Sequence, residues 1–84
     1  MHRPAIETYV RGIVVEVTGI EASRVLLTSR LREDLGASKI GVVDIIVSTE
    51  ECFRICISSD DVEKMTTVGH IVDHVESLGL QSAD

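Results

Sequence analysis

Apolar residues recur at helical intervals from the start of the chain. Ile6, Val10, Ile13, Val14 and Val17 fall three and four apart, which places them on one face of a helix. Pro4 suits a first helical turn and Gly19 is a natural stop, so the spacing predicts a helix over about 5–18. A second segment carries two stripes. Val42, Ile45, Ile46, Thr49 and Phe53 form one, and Ile40, Val43 and Val47 form another on a different side. A helix over about 39–53 that is apolar on two sides either sits centrally in a core or presents one side to a partner. Local propensity pulls the other way, because GIVVEV, KIGVVDIIVS and CFRICIS are rich in β-branched residues and could pass for strands. Periodicity decides for helices.

The remainder of the pattern is shorter. Ser58, Ser59, Asp60 and Asp61 have the composition of a helix start, with Asp61 in capping-box spacing from Ser58, and predict a short helix over about 60–64. Thr67 then opens a last helix over about 67–77, in which Val68, Ile71, Val72 and Val75 share a face that ends near Gly79. Between the first two helices lies a long loop, 19–38. The expected fold is an all-α four-helix bundle with that loop as its long connection and a short third helix, forming a single domain over 1–84.

Composition narrows this picture. With 84 residues, one tyrosine, one phenylalanine and no tryptophan, the core of so small a domain must be aliphatic. No apolar run approaches bilayer length and no signal-peptide layout precedes the first charges, so a cytoplasmic protein away from membranes is expected. Cys52 and Cys56, spaced C-x-x-x-C without a second pair, do not make a zinc pattern. They would face one another across a helical turn in a relation that disfavours an unstrained disulfide, and are expected to be reduced thiols. Charge is uneven. Residues 1–39 hold six basic and five acidic side chains, net +1, and residues 40–84 hold two against nine, net −7, which gives the total of −6. An acidic second half repels phosphate backbones, which argues against nucleic acid and for a basic protein surface as partner, although acids also simply keep a small domain soluble.

The order of the elements carries a resemblance. Glu33-Asp34-Leu35-Gly36-Ala37, then Val42-Val43-Asp44-Ile45-Ile46, Glu50-Glu51 and Phe53, resembles the acyl carrier protein family. The similarity continues through Asp60-Asp61-Val62-Glu63-Lys64-Met65-Thr66-Thr67-Val68 to Ile71-Val72-Asp73-His74-Val75, without gaps from about Leu31 to Val75. The resemblance implies a four-helix carrier domain, itself no enzyme and monomeric. A serine in an Asp-Ser-Leu triplet at the start of its second helix would bear 4′-phosphopantetheine. The thiol of that arm would hold acyl groups as thioesters for fatty-acid or polyketide-type biosynthesis. Basic patches of acyl-transfer and synthase enzymes, and of the phosphopantetheinyl transferase, would then recognise the second helix. Here Asp44, Glu50 and Glu51 would be its acids, and Ile40, Val43 and Val47 its apolar strip.

One departure stands at the centre of that scheme. The family triplet is replaced by Ser38-Lys39-Ile40, so the attachment position aligns with Lys39, whose amine cannot form the phosphodiester. Three readings are open. Ser38 bears the arm, although a one-residue shift within a helix would rotate the side chain by roughly 100°. Alternatively, Ser38 is an N-cap and the protein is an arm-less docking or regulatory module. Or Lys39 is an engineered replacement that keeps the protein in its apo form. A cation in the first turn of a helix is mildly unfavourable, and an ion pair with Asp34 would offset it. Elsewhere, His70 and His74 lie four apart, as two metal ligands could, but no third ligand is evident and a solvated pair is expected. Cys52 as a nucleophile lacks anything to orient it. No catalytic residue and no metal site is expected.

Overall fold

Among the described residues four helices form from these stripes: α1 (Arg3–Thr18), α2 (Lys39–Phe53), α3 (Ser59–Lys64) and α4 (Val68–Ser77), with one 3-10 turn at Ala22–Arg24 inside the long connection. The computed structural model describes residues 2–79. Pro4 lies in the first turn of α1, where a missing N–H breaks no helical bond. The helix stops at Gly19, whose φ of 76° lets its N–H return to the Val15 carbonyl at 2.8 Å. Ile6, Val10 and Val14 are buried on the inner face, and α1 packs against both α2 and α4. GIVVEV and KIGVVDIIVS, which could have been strands, are helical because that conformation gathers their apolar residues into one core, an energy larger than the small propensity penalty, whereas CFRICIS leaves α2 at Phe53 and continues as a non-helical connection.

The long connection is fastened rather than draped. Val25, Leu31 and Leu35 are buried in the same core. The Leu31 N–H donates to the Thr66 carbonyl at 2.9 Å, and Arg30 pairs with Thr67 as an isolated antiparallel bridge. Immediately afterwards the first N–H groups of α4 are taken up by the same loop. Val68 N–H reaches the Ser29 carbonyl at 3.1 Å and Gly69 N–H reaches Leu27 at 2.8 Å. The approach is so close that a β-carbon on Gly69 would stand 2.9 Å from the Leu27 carbonyl oxygen. A glycine is required there.

Thr67 completes the start of α4 by accepting the His70 N–H at 3.1 Å, while His70 Nδ1 accepts N–H groups from Thr66 at 3.1 Å and Thr67 at 3.3 Å. Histidine thus takes the part that Glu or Gln has in the usual capping box. One sequence expectation is corrected at the other end of the site. Cys52 and Cys56 do not face each other along one helix, because α2 ends at Phe53 and Arg54 turns the chain with φ 57°. Both thiols are free and exposed.

Candidate functional site

The start of α2 is the place to which the sequence drew attention. Ser38 is extended, φ −74° and ψ 171°, and its Oγ accepts the Gly41 N–H at 3.0 Å, so it is the N-cap and Lys39 is the first helical residue. Ser38 has not entered the helix, so the rotation expected of a serine shifted by one helical position does not apply to it. The Ser38 carbonyl takes the Val42 N–H at 2.9 Å. Among the described residues, the N–H groups of Lys39 and Ile40 have no acceptor. An open first turn of this kind presents two donors and the positive end of the helix dipole to whatever lies at its mouth.

Lys39 is exposed and takes part in no ion pair among the described residues. The expected bridge to Asp34 is absent, because Arg30 has that carboxylate. Arg30 Nη2 stands 3.0 Å from Asp34 Oδ1, its Nε donates to Oδ2 at 3.1 Å, and its backbone N–H donates to Oδ2 at 2.8 Å. A fork of donors from the residue four positions back has better geometry than a flexible ammonium beyond a glycine turn. The hydrogen bonds from the Arg30 side chain, and then from its backbone, hold the Asp34 carboxyl below its ordinary range.

Along α2 the two stripes separate cleanly. Ile45, Ile46, Thr49 and Phe53 are buried, whereas Ile40, Val43 and Val47 remain 74%, 50% and 44% exposed. Asp44 and Glu51 are exposed as well, and Ile40, Asp44, Val47 and Glu51 follow one another at helical spacing on the outward side. Glu50 is different. Its side chain is partly buried and Oε2 accepts the Ile57 N–H at 2.8 Å, while its carbonyl takes the Ile55 N–H at 3.0 Å. It holds the residues after α2 in place around the left-handed Arg54. Sequence reasoning missed this role, because two adjacent glutamates look alike until the chain beyond them turns back.

Beside this face a groove of about 360 Å³ runs between α2 and α3. Leu31, Val42, Val43, Val62 and Met65 line it, with Lys39 at its wall. The histidines are elsewhere: His70 is committed to capping α4, and both border a cleft with Asp61 and Asp73 between α3 and α4. Among the described residues no group of three or more His, Cys, Asp or Glu is placed to hold a metal ion, and no helix is long and apolar enough to cross a membrane.

Comparison with known proteins places the chain in a family. Residues 8–75 fit the family model described as a phosphopantetheine attachment site. An acyl carrier protein of Campylobacter concisus is 36% identical over 70 residues, covering 83% of this chain and 91% of that protein. One from Campylobacter curvus is 34% identical over 70 residues with the same coverage. An all-helical chain with this apolar pattern, matched over most of its length, belongs to the phosphopantetheine-attachment family of the acyl carrier proteins.

Proposed function

We propose that this chain is an acyl carrier of fatty-acid or polyketide-type biosynthesis, with 4′-phosphopantetheine ester-linked through Ser38 Oγ. The observation that carries the reading is the open first turn of α2 with an exposed hydroxyl at its mouth. When bound, the arm supplies a thiol that holds an acyl group as a thioester. The residues of the chain do the remaining work. Ser38 fits as the ester-forming group, since its hydroxyl is exposed and its oxygen retains a lone pair for the Gly41 N–H. Lys39 has no hydroxyl and does not fit. The unpaired N–H groups of Lys39 and Ile40 and the helix dipole stabilise a phosphodiester anion there, and the Lys39 ammonium adds a counter-charge.

Ile40, Val43, Asp44, Val47 and Glu51 form the docking strip in this reading, with Glu50 holding its far end in shape. Acids around a small apolar strip steer basic patches of acyl-transfer and synthase enzymes, and of the phosphopantetheinyl transferase, into fast and reversible contact. The protein acts as a cytoplasmic monomer delivered from enzyme to enzyme.

One observation favours a second reading. Lys39 occupies the first helical position, where the family serine aligns, and Ser38 already serves as the cap. On that reading the chain is a natural or engineered arm-less form that docks on carrier-recognising enzymes as a regulatory module. Intact mass separates the two after incubation with coenzyme A and a broad-specificity phosphopantetheinyl transferase. The carrier gains one phosphopantetheine, and loses that gain as Ser38→Ala and also as Ser38→Asp, which keeps an acceptor for the cap. An unchanged wild-type mass removes the carrier reading. Loading of Lys39→Ser would then show that a hydroxyl at the family position is all that is lacking.

A further inference from the structure

We propose that His70 is a proton-operated latch: uptake of a proton on its imidazole opens the seam between the start of α4 and the long connection that leads to Ser38. Two backbone N–H groups share one ring nitrogen, Thr66 at 3.1 Å and Thr67 at 3.3 Å from Nδ1, and the Thr66 hydroxyl stands 3.3 Å from it as well. A backbone N–H only donates, so Nδ1 must carry a lone pair and the ring proton must sit on Nε2. An imidazolium has an N–H at both nitrogens and accepts nothing. Protonated, the ring would set a third N–H against two others, and it has to leave the cap. The residues it releases are those that fasten the connection. Leu31 N–H bonds to the Thr66 carbonyl at 2.9 Å, Val68 N–H to Ser29 at 3.1 Å and Gly69 N–H to Leu27 at 2.8 Å. The Leu31 carbonyl in turn accepts the Ala37 N–H at 2.9 Å, one residue before Ser38. A proton taken up at α4 is thus felt at the mouth of α2.

The surroundings can receive the charged ring. Asp61 and Lys64 of α3, and Asp73 and His74 of α4, share the cleft with His70. From α1, Arg3 holds Asp73 at 2.8 Å, and from the connection Arg30 is taken by Asp34 at 3.0 Å. Asp61 is in no ion pair among the described residues and is the carboxylate open to an imidazolium that swings out. His70 is exposed, so the proton has access. The closed seam has no place for that proton at Nδ1 and the open one has, so opening binds one more proton. The seam is therefore at its full stability above the histidine range, about 6.5, and weakens as pH falls below it.

This inference does not require that Ser38 be loaded, so it and the carrier reading fail separately. The test is NMR of the labelled full chain at about pH 7.5 and about pH 5.5, either side of the histidine range. At the higher pH the imidazole nitrogen shifts should place the His70 proton on Nε2. Between the two, amide protection (exchange corrected for its intrinsic pH dependence) should fall about tenfold at Leu31, Val68 and Gly69, the effect of about one lost hydrogen bond. Val14 in α1 and Ile45 in α2 should keep theirs. His70→Gln offers an amide oxygen to the same N–H groups at either pH and should show no such fall. His74→Gln, on the same helix, should show it in full. The inference is overturned by an Nδ1–H tautomer or by equal protection at both pH values. It is overturned equally by a fall that survives in His70→Gln or vanishes in His74→Gln.

Discussion

Helices α2 and α4 are built from the same aliphatic alphabet and treat it in opposite ways. In α4, Val68, Ile71, Val72 and Val75 are all 0% exposed, and the first turn is closed by loop carbonyls, Thr67 and His70. In α2, three aliphatics face outward and the first turn keeps two N–H groups without acceptors among the described residues. An isolated domain gains little from the exposed parts of Ile40, Val43 and Val47, since only burial yields hydrophobic stabilisation. The difference teaches that α4 spends its aliphatics on the core, whereas α2 has one buried face and one that stays exposed, the face proposed above for docking.

Core truncation draws the contrast most sharply. Ile71→Ala in α4 should cost about 3 kcal/mol in denaturant unfolding, as a fully buried large-to-small change does. Ile40→Ala in α2 should stay within about 0.5 kcal/mol. A matching loss at Ile40 would mean that the strip is packed in solution. The glycines come next. Gly69→Ala forces a β-carbon to 2.9 Å from the Leu27 carbonyl oxygen and should cost about 2 kcal/mol. Gly41→Ala meets nothing nearer than 3.4 Å, the Ser38 Oγ, and should be neutral or stabilising by up to about 1 kcal/mol through helix propensity.

Within α2 the two glutamates divide in the same way. Glu50→Gln weakens the charge-assisted bond to the Ile57 N–H and should cost about 1 kcal/mol. Glu51→Gln should leave stability within about 0.5 kcal/mol and act on partner affinity instead. Equal stability losses would deny Glu50 its role as a latch. The smallest effect lies in the loop. Arg30 depresses the Asp34 carboxyl in the folded state, so the contribution of this pair is present above the ordinary carboxylate range, about 4. It is lost as pH falls through the lower folded value. Asp34→Asn should therefore flatten the acid limb of the stability profile slightly, and an unchanged limb would show the pair to be fully screened.

The helical class and its four elements were legible because Ile6, Val10 and Val14, or Val68, Ile71, Val72 and Val75, repeat at a period that no strand shares. The doubled stripe of α2 was legible for the same reason, but it fitted a central helix as well as one with an outward side, and the structure shows the outward side. What escaped were contacts that exist only once the chain turns back on itself. Nothing local marks Gly69 as the seat of the Leu27 carbonyl, or Glu50 as the acceptor for Ile57. The partner of Asp34 escaped as well, since both Arg30 and Lys39 are near it in sequence and only the turn between them selects one. At the mouth of α2 the sequence offered Ser38 as arm or cap. The structure establishes the cap and keeps Ser38 exposed.

The outward strip of α2 as a docking face is the claim on which the rest turns, and an amide NMR titration of the labelled chain with a basic phosphopantetheinyl transferase tests it directly. The account predicts shifts concentrated at Ile40, Val43, Asp44, Val47 and Glu51 that fade as salt is raised. Shifts centred on α4 or the outer side of α1, with α2 silent, would contradict it.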